Sequence, residues 1–530
     1  MSGDPLRPGD HIDSDAPVNQ PQLGPTGYLR FFWRQLTSMR TALFLLLLLA
    51  IAAIPGSLVP QVSSDPNGVA QYKAANPELS AALDALGVFS TYTSVWFSAI
   101  YLLLFVSLIG CVIPRTKHHL QALRSRPPKT PARLSRLEGF TTRETTADAA
   151  TAVTTATALL RRQGYRVQQY GHSVSAERGY LRETGNLVFH TALIGVLVAV
   201  GIGGGFGYTG QRVVVEGYAF ANTLASYDSF NPGRFFRESD LVPYSIALDG
   251  FEAVYEQDNL DAIGQAVDFT ANVTTTVRGA EPVEQQIKVN EPLSVGGTQV
   301  YLLGNGYAPE LIVRDAVGEI VFSGPTPFLP QDANLFSLGV IKIPDGLAEQ
   351  LGIRALFYPA AVKTTLGTYA SSFPDLINPL VTLEVYTGDL GLDDGVAINA
   401  YALNTDELTQ VAGRDAEAPV IELGLGDRVE LPDGLGSIEL VGVPRFVSLD
   451  VHHDPAQGWV LLFAILSLAG LVASLFVPRR RMWVKAVTAD DGTVTLEYAG
   501  LARGDDPGLV AAVAEMAERH AAALALKVEA

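Results

Sequence analysis

Four stretches of the chain, residues 41–59, 95–113, 187–204 and 459–477, are apolar enough to cross a bilayer. Each runs 18 or 19 residues, close to the ~20 that a hydrocarbon core about 30 Å thick requires. The third carries His190, the only titratable residue in any of them apart from Cys111 and Tyr101. An ionisable side chain at membrane depth is costly, and its default reading is a functional site. The sequence therefore describes a membrane protein whose chemistry starts at one imidazole.

The net charge of −18 suggests an acidic soluble protein until it is divided by segment. Residues 114–186 hold 13 Lys/Arg against 5 Asp/Glu, a net of +8. Residues 205–458 hold 12 Lys/Arg against 35 Asp/Glu, a net of −23. Arg30, Arg34 and Arg40 precede the first span, and Arg479, Arg480 and Arg481 follow the fourth. Basic residues near span ends face the cytoplasm. The expected layout is a multi-pass plasma-membrane protein with both termini cytoplasmic and residues 205–458 extracytoplasmic. The 40 polar residues before the first span exceed a cleaved signal's usual length of about 15–30, so that span reads as a retained anchor. The basic loop has a sufficient explanation in topology and anionic headgroups of the lipid bilayer, and nucleic acid is not an expected partner.

Along the chain, residues 1–25 lack any apolar pattern and read as a disordered tail. Tyr28, Phe31, Phe32 and Trp33 among basic residues suggest an interfacial helix within 1–40. The connection 60–94 is short and outer, with prolines that allow at most a short helix over 77–86. In the basic loop 114–186 a helix over 147–163 lies between strand-like runs, a small cytoplasmic α+β unit. Residues 205–458 alternate like β-structure, as in Tyr244, Ile246, Leu248 and in Val267, Phe269, Ala271, Val273. Turn pairs such as Asn305-Gly306 and Asp433-Gly434 recur between the runs, and only 345–351 and 404–411 look helical. The predicted fold is four transmembrane α-helices, a large mostly antiparallel β domain of sandwich or barrel type, and the α+β unit. Residues 478–530 read as a cytoplasmic tail.

One cysteine, Cys111, excludes an intramolecular disulfide, a CxxC pair and a thiolate metal site. Buried in lipid, it reads as a small apolar packer, and thiol chemistry falls to separate thiol-reducing proteins. The GxGxxG pattern at 205–210 follows a membrane helix and precedes a strand-like run, the wrong context for a dinucleotide fingerprint. It reads as a flexible exit from the membrane. A Ser/His/Asp set would need His452 or His453, with no G-x-S-x-G near them, so no self-contained catalytic site is expected. His118 and His119 read as polar interface residues, and His11, His172 and His520 as solitary. His190 is either interhelical hydrogen-bond glue or a neutral imidazole that ligates haem iron, because burial favours the unprotonated ring. If the third span runs outward, His190 lies on the order of 5 Å beyond its cytoplasmic edge. A haem arriving from the cytoplasm would meet it there.

The residues then carry a resemblance. Gly56-Ser57-Leu58-Val59-Pro60-Gln61 closes the first span, Ser94-Val95-Trp96-Phe97 opens the second, and Cys111 to Arg115 (CVIPR) ends it. Residues 176–190 (AERGYLRETGNLVFH) lead into the third, Asn305 to Pro309 (NGYAP) and 441–447 (VGVPRFV) lie in the acidic segment, and Asp454-Pro455 precedes the fourth. In this order the chain resembles the ResB/CcsB-type cytochrome c biogenesis proteins of the system II pathway. The resemblance implies a subunit that, with a ResC/CcsA-type membrane partner, carries haem b in transit across the membrane to apocytochrome c. His190 matches the family's membrane histidine, and His452 and His453 are a weaker, outer haem candidate. The family's tryptophan-rich haem-binding segment belongs to the partner, while Trp33, Trp96, Trp459 and Trp483 here suit aromatic belts. Two other classes stay open: an assembly scaffold that binds apocytochrome or partner without haem, and a subunit of an exporter for another ligand.

Overall fold

In the computed structural model the described residues are 24–528, except 260, 366, 393–400 and 491. The expected tail at 1–23 and His11 lie outside them. Among the described residues four helices are long and apolar enough to cross a membrane: α2 (Met39–Leu58), α5 (Val95–Arg124), α7 (Leu181–Phe206) and α8 (Gln457–Phe476). Two outrun their predicted spans. α5 passes through Pro114 and continues for ten more residues to Arg124, and α7 begins at Leu181, so that its first turn is polar. Both α2 and α5 are opened by a serine whose hydroxyl accepts from a first-turn amide, Ser38 from Thr41 N and Ser94 from Phe97 N.

Before α2, α1 (Pro25–Leu36) exposes Tyr28, Phe31, Phe32 and Trp33, as an interfacial helix would. Residues 60–94 hold more helix than the prolines suggested, namely α3 (Pro66–Ala75), α4 (Pro77–Ala85) and a 3-10 turn (Val88–Thr93). Pro66 and Pro77 each occupy a first-turn position, where the missing N–H costs nothing. The buried Gln61 amide fastens this segment, donating to Val88 O and accepting from Thr91 N.

The chain divides into two compact units, 1–199 with 458–530 and 200–457. In the first, α6 (Ala149–Arg162) and α9 (Leu509–Val528) pack on a five-stranded antiparallel sheet. Its spatial order is Glu138–Thr145, Val494–Ala502, Arg480–Thr488, Ser173–Arg178, Arg166–Tyr170. The segment expected to be a tail after the fourth span thus supplies the central strand, its neighbour and a helix. Trp483 is buried there with Leu134 and Ala499, not at a membrane interface. His520 is fully buried on α9, its ring bonded to the Tyr498 hydroxyl (2.8 Å) and to Ala152 O (2.9 Å), so it is neither solitary nor idle. That desolvation holds its pKa below the ordinary value, despite the Ala152 carbonyl pulling the other way.

The second unit is antiparallel β throughout its paired strands. One core gathers Phe220, Ile246, Leu248, Val273, Leu449 and Val451; the other gathers Leu311, Phe328, Ile353, Phe357, Leu383 and Leu440. Strand Thr298–Tyr307 contributes to both, Val300 to the first and Tyr307 to the second. Tyr307 pairs in register with Arg445, whose guanidinium lies 4.5 Å from the Tyr307 ring and 2.6 Å from Asp375. Two of the motifs that carried the resemblance therefore meet across one ladder. The predicted alternation holds for Tyr244, Ile246, Leu248, Ala271 and Val273, all buried, and fails at Val267, which is exposed at the start of its strand. The two expected helices are not formed: 345–350 is a bend that turns at Gly346 (φ +93°), and 404–411 is a turn running into strand Thr409–Ala412. The glycine-rich stretch at 205–210 goes directly from α7 into strand Tyr208–Val215, the reverse of the strand-then-helix order a dinucleotide fingerprint needs.

Candidate functional site

His190 is the tenth residue of α7 and is partly buried. Its Nδ1 lies 2.8 Å from the Asn186 carbonyl one turn earlier. Read as a donor, Nδ1–H fixes the ring in the tautomer whose Nε2 carries the lone pair. Nε2 has no hydrogen-bond partner among the described residues. A ring oriented through one nitrogen by a backbone carbonyl, with the other left open, is the usual preparation of an imidazole for a metal. Among the described residues the ring makes no hydrogen bond to another helix.

α7 is positioned from both ends of this stretch. On one side it crosses α8 closely, because a Cβ on Gly470 would sit 2.6 Å from Phe189 N and 2.7 Å from Gly185 O. On another, the Tyr101 hydroxyl of α5 donates to Leu197 O. At its first turn Glu183 accepts from Arg479 and from Arg503. Glu177, in the strand before the helix, accepts from Arg481 and from the Tyr180 hydroxyl and stands 4.0 Å from Arg479. The Arg479 guanidinium lies 4.6 Å from the Tyr180 ring. Gly179 (φ +89°) lets the chain turn here, since a side chain would strike Pro478 O at 2.1 Å.

His119 belongs to the same neighbourhood. It is buried on α5, with Nε2 2.9 Å from the Thr184 hydroxyl and Nδ1 3.4 Å from a Glu183 oxygen. That second approach is close enough for attraction but is not directed as a hydrogen bond, and Nδ1 has no hydrogen-bond partner among the described residues. His118 beside it is exposed. Reading the pair as one polar flank missed that α5 stays helical past Pro114, which turns adjacent residues to opposite environments.

His452 and His453 end strand Arg445–His453, flanked by strands Thr298–Tyr307 and Tyr208–Val215. Successive strand residues face opposite sides, so they do not form a pair. His452 Nε2 is 2.7 Å from Asp450 Oδ2, which raises its pKa. His453 stacks on Tyr208 (5.2 Å between centroids), with Nδ1 3.0 Å from Gly297 O. No cluster of three or more His, Cys, Asp or Glu that could hold a metal occurs among the described residues. Cys111 is more than an apolar packer: its thiol donates to Thr37 O (2.8 Å) at the break between α1 and α2.

A family model described as the ResB-like family matches residues 39–514. The chain belongs to that family. Among relatives, the cytochrome c biogenesis protein CcsB of Synechococcus sp. (strain WH7803) is 28% identical over 275 residues, covering 50% of this chain and 58% of its own. CcsB of Thermosynechococcus vestitus is 28% identical over 282 residues (52% and 60%), and that of Microcystis aeruginosa 25% over 294 (54% and 62%). The matched part spans about three-fifths of these relatives' length. Among solved structures, a cytochrome c haem lyase CcmF aligns over 85% of this chain and 50% of its own with 11% identity, but its TM-score of 0.22 carries no argument.

Proposed function

We propose that this ResB-like protein is a non-catalytic or co-catalytic subunit of a cytochrome c maturation complex and that His190 ligates the iron of haem b in transit. The observation that carries the reading is the His190 ring, held by Asn186 O with Nε2 open. The group fits the residues present: a neutral imidazole is a standard axial ligand, and no thiolate competes with it. When bound, haem supplies the vinyl groups that become attached to apocytochrome c; this chain's own part is to hold and orient. Asn186 fixes the tautomer, the Gly185–Gly470 crossing fixes the helix, and lipid around α7 excludes water.

The charge partition supports a cytoplasmic location for the unit formed by 138–178 and 480–528 and for both termini, and a location outside the plasma membrane for the β domain. A ResC/CcsA-type partner supplies the second iron ligand and the attachment machinery, and separate proteins reduce the apocytochrome thiols. The decisive experiment is the absorption spectrum of the purified full chain with its partner. The Soret band is expected to be lost in His190→Ala and to return in part with added imidazole. A band unchanged by His190→Ala would remove iron ligation from this residue.

A further inference from the structure

Glu183 and His190 are seven residues apart on α7, which is two turns of helix. They therefore project from one face, separated along the axis by about 10 Å. Around Glu183 the chain assembles more positive than negative charge. Among the described residues the acidic partners of Arg479, Arg481 and Arg503 are Glu177 and Glu183, and Arg182 bonds the Arg503 carbonyl from the helix side. The three arginines line a cleft of about 320 Å³ together with Leu501 and Ala502. Arg479 is 8% exposed, whereas the Arg503 side chain is 75% exposed although its guanidinium meets Glu183. A guanidinium presents a planar fork of five donors that matches a carboxylate. Two carboxylates cannot engage every donor of three such forks.

We propose that this cleft receives the propionate carboxylates of the haem whose iron is bound at His190. The inference rests on the His190 reading and deepens it by assigning the other end of the same ligand. A haem is an apolar plate with two carboxylates on one edge and iron at its centre. Its binding surface needs an imidazole, an apolar wall, and cationic donors displaced along the plate. Here the imidazole is His190, the α7 span around it is apolar, and the arginines lie two turns toward the polar start of α7. The carboxylates stay at the basic end while the macrocycle enters the apolar span. Incoming propionates would compete with Glu183 for Arg503, so ligand entry loosens a contact that pins the start of α7. His190 alone offers a point of attachment; the cleft makes the site directional.

The test compares haem with its dimethyl ester, which keeps the iron and the ring but has no carboxylates. Both are titrated into the full-length protein in neutral-lipid nanodiscs and followed by the Soret band. The wild type is expected to bind haem about ten- to a hundred-fold more tightly than the ester, the size expected of one or two charge-assisted hydrogen bonds. Arg503→Gln/Arg481→Gln, at the more exposed positions, should remove that preference, read as the ratio of haem to ester affinity within the same variant; Arg503→Lys should restore only part of the loss. Equal affinity of wild type for haem and ester overturns the propionate assignment while leaving His190 intact. A wild-type Soret band indifferent to His190→Ala overturns the His190 reading instead. Loss of the preference when anionic phospholipid replaces neutral lipid identifies the cleft as a headgroup site and overturns the assignment.

Discussion

His190 and His520 both sit on helices and both have one ring nitrogen within 2.9 Å of a backbone carbonyl. They differ in the second nitrogen. That of His520 faces the Tyr498 hydroxyl in a fully buried site, so the ring is finished as a structural cross-link. That of His190 is met by nothing among the described residues. A satisfied histidine adds stability; a half-satisfied one in an apolar span costs stability and persists where a ligand completes it. Position on a hydrophobic face does not separate the two cases, but the state of the second nitrogen does.

The largest expected effect breaks the comparison on the His190 side. His190→Ala should reduce cytochrome c maturation to background with normal protein level, and external imidazole should recover a fraction. Haem-stained cytochrome c in membranes, normalised to this protein, measures it. Next, Gly470→Leu should disorganise the α7–α8 crossing, because the added side chain meets Phe189 N and Gly185 O. Overpacking of this kind costs about 1–3 kcal/mol or more, and the measured level of folded protein in the membrane should fall with the haem band.

His520→Gln sharpens the comparison from the other side. It should destabilise the α6/α9 sheet unit by about 1–3 kcal/mol, leaving buried polar groups unpaired, without shifting the haem spectrum. Hydrogen exchange in α6 and α9 would report it. The same unit should be sensitive to acid. Because the folded pKa of His520 lies below its unfolded value of about 6.5, its contribution is full above that pH. It is lost as pH falls from there through the folded value. His452 has the opposite sign: Asp450 raises its pKa, so its contribution is present below about 6.5 and fades as pH rises through the folded value. The His452→Ala/His453→Ala double variant should retain most maturation activity in the same haem-stain assay. Smallest of all, Cys111→Ala loses one thiol hydrogen bond to Thr37 O, and maturation should stay within error of wild type.

Much of the fold was legible because membrane spans and β-alternation are local signals. The four spans, the strand character of 244–248 and the helix over 147–163 are all written in nearest-neighbour pattern. Pairings between distant segments are not. Nothing within 478–502 marks it as partner to 138–145 and 173–178. The run Arg479-Arg480-Arg481 read as a topological flank, although its members diverge: Arg480 holds Asp506 at 2.5 Å while Arg479 and Arg481 take Glu183 and Glu177. The helical look of 345–351 and 404–411 was overridden by a glycine turn and by neighbouring strands. At the site, His190 was visible from hydropathy alone, whereas Arg479 and Arg503, which meet Glu183 near the start of the same helix, come from the far end of the chain and no local pattern announces that contact.

The five-stranded sheet also sets a clock. Arg481 reaches Glu177 across 304 positions of sequence, and the strand that receives Ser173–Arg178 is Arg480–Thr488. At a synthesis rate of about 5–20 residues per second, the earlier strands wait roughly 15–60 s for their central partner. Throughout that interval α6 lacks the strand Arg480–Thr488 and α9 that complete its packing, and the edge at Ser173 lies open, a natural target for chaperones and proteases. A ribosome that stops inside the β domain leaves that edge bare, so closing the sheet marks a chain synthesised through its fourth span.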